Sequence, residues 1–186
     1  MGSEMCIRDR ALGLAWTSAG GELLHVQVSI LPGKGKAKFT GRLGDVMTES
    51  VQTAISVALR QADSLGFDSN ILNDHNVHIH FPEAAVPKDG PSAGVAIVSA
   101  LVSSLSQNPL PNDIAFTGEI TLTGRILPVG GLPEKLLAAK RYNIKKVLIP
   151  EGNKKDLPEV KDEVMEGVKI IPVSSINEVF DILFEK

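Results

Sequence analysis

A serine lies at the centre of the segment Gly90-Pro91-Ser92-Ala93-Gly94. This segment has the G-x-S-x-G spacing of a nucleophile elbow, in which a sharp turn exposes a serine hydroxyl for attack on a carbonyl carbon. The same residue types also begin helices, because Ser is a favoured N-cap and Pro a favoured neighbour. Ser92 is therefore a candidate nucleophile or a helix cap, and the choice depends on whether the chain supplies a base.

Histidine is the most frequent base for such a serine, and every histidine here precedes the serine in the chain: His25, His75, His78 and His80. This excludes the α/β-hydrolase order, in which the histidine follows the nucleophile. A triad with an upstream base stays open, with His78 or His80 as base and Asp74 or Asp89 orienting it. The alternation around these two histidines equally fits the polar face of a strand. Two ligands without a nearby third argue against a metal site there.

A lysine kept neutral by burial is the other candidate base. No Ser-x-x-Lys spacing occurs in the sequence, so this lysine must come from a distant segment. Successive residues of a helix are rotated by about 100°, which places Lys135 on an apolar stripe of the helix that follows Pro133. Desolvation and the positive end of the helix dipole both lower the pKa of a lysine at that position. Lys135 is therefore a candidate base as well.

Strand-like and helix-like segments that can position these side chains follow one another along the chain. Predicted strands occupy parts of 12–31 around a hairpin at Gly20 and Gly21, and then 77–81, 114–126, 146–150 and 168–172. Predicted helices cover 44–65, 92–106, about 131–142 and 176–184. Turns or loops separate them at 33–36, 68–76 and 82–91. We expect a single α+β (mixed α/β) domain, since no linker or repeat divides the chain.

The composition narrows the classes of function. The 186 residues are 43% hydrophobic, which is enough for a core. A net charge of -3 argues against binding nucleic acid through a phosphate-neutralising surface. The single Cys6 excludes an intrachain disulfide and fits a reducing, cytoplasmic location. No stretch approaches the roughly 20 apolar residues of a membrane span, and the Gly33–Lys36 segment lacks the spacing of a phosphate-binding loop, so we expect no bound nucleotide.

Three runs of sequence around the candidate residues resemble a known family. They are Pro87–Gly94 (PKDGPSAG), Thr117–Leu122 (TGEITL) and Gly130–Ala139 (GGLPEKLLAA). Shorter similar runs are Gly13–Thr17, Leu31–Lys36 and Gly41–Met47. Together these segments resemble the proteolytic domain of the bacterial Lon family of ATP-dependent proteases over roughly residues 12–186. On this basis we assign residues 11–186 to a Lon-like proteolytic domain and residues 1–10 to a leader outside the family.

The resemblance implies a serine endopeptidase with a Ser/Lys dyad. Ser92 is then the nucleophile and Lys135, 43 residues later, the general base, whereas the histidines are not the base. The implied fold resembles domain 2 of ribosomal protein S5. Thr117 is either a hydrogen-bond partner that holds the lysine or an ordinary strand-end hydroxyl. Asp89 either caps the helix that follows it or pairs with Lys135 in a resting state.

Backbone N–H groups around Ser92 are the natural donors to an oxyanion, with Gly90 and Ala93 in that region. Trp16 is either a wall of the substrate site or a core residue. The resemblance also implies unfolded polypeptide substrates, a homohexameric ring and an AAA+ ATPase module outside these residues. ATP and Mg²⁺ would then belong to that module, and no cofactor or metal is expected in this domain. An assembly module that is inactive in isolation, or a Ser/His hydrolase, is the alternative.

Overall fold

The computed structural model describes residues 8–83 and 85–184, and Cys6 lies outside these ranges. The strands are β1 Arg10–Thr17, β2 Gly20–Pro32, β3 Ala37–Thr40, β4 His75–His80, β5 Ile114–Phe116, β6 Glu119–Ile120, β7 Ile126–Leu127, β8 Lys146–Pro150 and β9 Lys169–Val173. The α-helices are α1 Asp45–Arg60, α2 Ala62–Leu65, α3 Gly94–Ser106, α4 Leu132–Arg141, α5 Asp162–Met165 and α6 Ile176–Phe184. Two 3₁₀ segments cover Ile71–Asn73 and Glu151–Glu159.

Seven of these strands form one mixed sheet in the order β3-β4-β2-β1-β5-β8-β9. The hairpin of β1 and β2 and the pair of β2 and β4 are antiparallel, whereas the other four pairs are parallel. β6 and β7 form a separate two-stranded ribbon. This confirms a single domain of mixed α/β structure, with a central sheet that is mostly parallel.

The two halves of the core lie on opposite faces of the sheet. On β5, Ile114 and Phe116 belong to a core cluster with α1, α3 and α6, whereas Ala115 between them belongs to a second cluster with α4. Successive side chains of a strand point to opposite faces. The α3 and α4 helices therefore pack on opposite sides of the sheet, and residues that they position can meet only beyond the end of a strand.

Most of the predicted elements are confirmed, with three differences. The helix predicted over 44–65 is two helices, because the backbone leaves helical geometry at Gln61 (φ −91°, ψ 0°). The helix predicted from Ser92 begins at Gly94. Strand β3, which pairs in parallel with β4, and the short helical segments between β8 and β9 were not predicted from the sequence. Among the described helices, none has the length and apolar character that crossing a membrane requires.

Candidate active site

Ser92 lies in a turn directly before α3. The N-cap of that helix is Ala93, and no side chain among the described residues caps it. The prediction of Ser92 as a helix cap is therefore wrong. The Ser92 carbonyl accepts a hydrogen bond of 2.9 Å from the N–H of Gly118, and the Gly118 carbonyl accepts one of 3.2 Å from Val95. These two bonds fasten both sides of the turn to the chain that leaves β5.

The second glycine of the motif is required by close packing. A Cβ at Gly94 would lie 2.8 Å from Ile120 Cγ2 and 2.9 Å from the Ile120 nitrogen, distances that real Cβ atoms essentially never show. The first turn of α3 therefore packs directly on β6, and a larger residue at position 94 would push the two apart. The spacing of the motif thus reflects a backbone contact that brings the Ser92 turn against the residues after β5.

Lys135 is buried on the second candidate helix. Its side chain is 1% exposed, in agreement with its predicted place on the apolar stripe of α4. Nζ donates a hydrogen bond of 3.1 Å to Thr117 Oγ1, and Thr117 is also 1% exposed. Burial lowers the pKa of Lys135 from 10.5 to about 8, against a smaller raising effect of the Glu134 carboxylate. A substantial fraction of this amine is therefore neutral near pH 8.

The candidate nucleophile and base converge at the carboxyl end of β5. Ser92 is hydrogen-bonded to Gly118 and Lys135 to Thr117, the two residues that follow that strand. The carboxyl ends of parallel strands are the usual location of sites in open α/β sheets. Within the described residues no hydrogen bond joins Ser92 Oγ to Lys135 Nζ; the two residues are linked through Thr117 and Gly118, which are adjacent in the chain.

Asp89 does cap a helix, although not the one that follows it. Its Oδ1 accepts hydrogen bonds from the N–H of Met47 (2.8 Å), in the first turn of α1, and from the N–H of Gly90 (2.9 Å). In the described part of the chain, Asp89 forms no ion pair with Lys135. Gly90 itself has φ +119°, a backbone conformation that glycine adopts without strain.

Trp16 is 52% exposed, so the alternative of a core tryptophan is wrong. It lines a groove of about 90 Å³ that also contains Ser92, Leu23, Met47 and Val86. The indole lies against Gly131, the N-cap of α4, where a Cβ would come within 2.4 Å of the ring. Trp16 thus connects the groove beside Ser92 with the start of the helix that carries Lys135.

His75, His78 and His80 have hydrogen-bond partners other than Ser92. Thr40 Oγ1 lies 2.7 Å from both His78 Nε2 and His80 Nδ1, and His75 pairs with Asp74. A larger open cavity of about 520 Å³ lies beside His78 and His80, and Ser92 is not among its lining residues. The upstream triad therefore does not assemble in this structure. Among residues 8–83 and 85–184, no three His, Cys, Asp or Glu side chains are grouped to hold a metal.

Asn153 is a positioning residue that the sequence does not predict. It is 1% exposed, and its side-chain amide forms two hydrogen bonds with the backbone of Val129. Oδ1 accepts a bond from the Val129 N–H (2.9 Å), and Nδ2 donates one to the Val129 carbonyl (2.7 Å). It also donates to Asp156. These bonds hold the segment that leads into α4. An asparagine in a polar Gly-Asn-Lys-Lys run resembles a surface residue, so no local signal could identify its role.

The chain matches one known protein family over nearly all of its length. The family described as "Lon protease (S16) C-terminal proteolytic domain" matches residues 7–186. The chain is 52% identical over 177 residues to a protein named Lon protease from Buchnera aphidicola subsp. Acyrthosiphon pisum, covering 95% of this chain and 23% of the relative. It is 54% identical over 173 residues to Lon protease 1 of Hydrogenovibrio crunogenus (93% and 21%) and 51% identical over 173 residues to Lon protease of Escherichia coli K12 (93% and 22%). The chain thus spans less than a quarter of the length of these relatives.

Proposed function

Because this chain belongs to the Lon protease (S16) family, as a C-terminal proteolytic domain, we propose that it hydrolyses peptide bonds with Ser92 as nucleophile and Lys135 as general base. The main observation in support of the proposal is the burial of Lys135 together with the lowered pKa of its amine. This side chain is buried, its pKa is lowered to about 8, and its amine is held at the carboxyl end of β5 beside the segment that binds Ser92. A base works best when its pKa lies near the operating pH.

The chemistry is acyl transfer in two steps. The lone pair of the neutral Lys135 amine takes the Ser92 proton while Oγ attacks the scissile carbonyl carbon and forms a tetrahedral oxyanion. The Lys135 ammonium then returns this proton to the leaving amine as the carbon–nitrogen bond breaks, which leaves an acyl ester on Ser92. Water, deprotonated by the same amine, hydrolyses the ester and restores both residues. The hydrogen bond between Ser92 Oγ and the amine would form on substrate binding, since catalytic hydrogen bonds often tighten only in the complex.

The turn before α3 offers hydrogen-bond donors for the oxyanion. Among the described residues, no backbone group accepts a hydrogen bond from the N–H of Ser92 or Ala93. Both lie beside the N-terminus of a 13-residue helix, where the helix dipole favours negative charge. One such donor contributes roughly 3 to 4 kcal/mol of transition-state stabilisation in comparable sites.

We further propose that the substrate is an extended polypeptide lying in the groove beside Ser92. Trp16, Leu23 and Val86 supply apolar contacts there for its side chains. An extended segment can add its backbone hydrogen bonds to those of a strand, which selects for unfolded chains. For the complete protein we propose a homohexameric ring in the cytoplasm and an AAA+ ATPase module that uses ATP and Mg²⁺ to deliver unfolded substrate. In this proteolytic domain we propose no cofactor or metal.

The second candidate function is an assembly module whose site is inactive in isolation. The lack of a hydrogen bond between Ser92 and Lys135 in the described structure favours it. The two functions differ in whether this chain alone hydrolyses peptides.

A fluorogenic peptide assay on the wild type and on Ser92→Ala and Lys135→Ala tests the proposal. We expect measurable cleavage by the wild type and at least a 100-fold loss in both variants, because each removes one member of the dyad. His78→Gln and His80→Gln serve as matched controls and should keep activity within about twofold, since neither ring contacts the site. Activity that survives in Lys135→Ala but disappears in a histidine variant would support the Ser/His hydrolase. An inactive wild type would support the assembly module.

A further inference from the structure

The first turn of α1 has a cap that comes from another part of the chain. Its N-cap is Gly44, which has no side chain to bind the free N–H groups of the helix. A Cβ at Gly44 would lie 2.3 Å from Asp89 Cγ and 2.4 Å from Asp89 Oδ2. The Asp89 carboxylate therefore fills the space of an N-cap side chain and accepts the Met47 N–H, the third of the helix.

The backbone next to Asp89 is also hydrogen-bonded to the segment that precedes α1. The Lys88 N–H donates to the Arg42 carbonyl (3.0 Å), and the Gly44 N–H donates to the Lys88 carbonyl (2.8 Å). Leu43 and Lys88 form a parallel bridge. The segment that leads to Ser92 thus pairs in the manner of a short strand with the residues that precede α1. The Asp89 carboxylate adds a side-chain hydrogen bond to this contact.

The α1 helix is a rigid support for this contact. It has 16 residues, of which Met47, Val51, Ala54, Val57 and Ala58 are buried in the core. A carboxylate at a helix N-terminus is stabilised by the free N–H groups and by the dipole. The same Oδ1 atom also accepts the Gly90 N–H, so one oxygen joins the end of α1 to the turn that carries Ser92.

We propose that Asp89 is a positioning residue for the reaction, which holds the Ser92 turn in place by serving as the N-cap of α1. This inference rests on the proposed function, because positioning matters only if Ser92 is the nucleophile. It assigns to Asp89 a role separate from proton transfer and separate from any pairing with Lys135.

Gly44 makes it possible to separate a positioning role from mere stabilisation of α1. The backbone there has φ −76° and ψ 178°, which any residue can adopt. In Gly44→Ser combined with Asp89→Ala, the new hydroxyl occupies the vacated space and caps α1 locally, while the link to the Ser92 turn is lost. The test compares this double variant with the wild type, Asp89→Ala, Asp89→Asn and Gly44→Ser. Each is measured for kcat, KM, melting temperature and hydrogen exchange at the amides of Met47, Lys88 and Gly118.

We expect Asp89→Ala to lower both the melting temperature and kcat, the latter at least tenfold with little change in KM. The double variant should recover the melting temperature and the protection of the Met47 amide, but neither kcat nor the protection of the Lys88 and Gly118 amides. Asp89→Asn keeps an acceptor oxygen and should stay within about threefold of the wild type. Gly44→Ser alone should be destabilised by its clash with Asp89.

Recovery of kcat in the double variant would show that Asp89 acts only through the stability of α1, which overturns the proposal. Wild-type kcat in Asp89→Ala, or a loss in Asp89→Asn as large as in Asp89→Ala, would overturn it as well. If the wild type shows no cleavage that depends on Ser92, the proposed function fails. In that case, hydrogen exchange at the Lys88 and Gly118 amides tests whether Asp89 holds the Ser92 turn in place. Unchanged protection of these amides in Asp89→Ala would reject this role.

Discussion

Lys135 Nζ donates a hydrogen bond to Thr117 Oγ1 across 3.1 Å, and both side chains are almost completely buried. Lys135 belongs to α4, and Thr117 directly follows β5. The N–H of Gly118, the next residue, donates a hydrogen bond to the Ser92 carbonyl. A buried amine with a hydroxyl partner is kept in one orientation while its pKa falls. The hydrogen bond to Thr117 therefore orients the candidate base, whereas burial lowers its pKa.

The rate of peptide hydrolysis should depend on the titration of Lys135. Because the amine must be neutral to accept the Ser92 proton, we expect kcat/KM to rise with pH and to reach half of its plateau near pH 8. Steady-state assays between pH 6.5 and 9.5 measure this profile, and a melting curve at each pH verifies that the protein stays folded. A flat profile across this range would contradict Lys135 as the base.

The lowered pKa of Lys135 also predicts how stability changes with pH. Between about pH 8 and 10.5 the unfolded chain holds this proton while the folded protein has released it. The free energy of unfolding should therefore increase with pH over this window, by about 3 kcal/mol from this group. Denaturant titrations of the wild type and of Lys135→Met measure the free energy of unfolding of each protein across this range. The stability of the wild type relative to Lys135→Met should shrink or reverse below pH 8. The idea fails if both proteins show the same pH dependence.

Thr117→Val removes the hydrogen-bond acceptor of Lys135 at almost constant volume. We expect kcat/KM to fall about tenfold, since the amine loses the partner that orients it, and the free energy of unfolding to fall by roughly 1 to 3 kcal/mol for an unpaired buried group. Thr117→Ser keeps the hydroxyl and should retain activity within about threefold. Equal activity of the Val and Ser variants would show that Thr117 is only an ordinary strand-end residue.

The adjacent glycines before α4 form a matched pair for testing the contact with Trp16. Gly131 has φ +69°, so Gly131→Ala should cost about 1 to 2 kcal/mol of stability from the backbone conformation alone. A Cβ at this position would also collide with the indole, so the substitution should displace Trp16. Within 4 Å and among the residues that the structure describes, a Cβ at Gly130 would meet only Trp16 Nε1, at 3.8 Å, which is an ordinary contact. Gly130→Ala should therefore be nearly neutral. Melting curves and the fluorescence of Trp16, the only tryptophan, distinguish the two variants.

Local sequence patterns were sufficient to identify several features. The apolar period of α4 placed Lys135 on the buried face, and the alternation around His78 predicted strand β4. These inferences succeed because helix and strand periods depend on residues close together in the chain. The resemblance to the Lon family rests on longer runs of the same local kind, such as the octapeptide that contains Ser92.

Other features depended on contacts between distant segments. Asp89 caps a helix that begins 44 residues earlier in the chain, Asn153 holds the entrance to α4, and Thr117 meets Lys135 across 18 residues. Trp16 is half exposed and lies against Gly131 at the start of α4, although tryptophan is more often buried. Each of these outcomes depends on which elements the sheet brings together, and the order of strands in a sheet is not encoded by any local period.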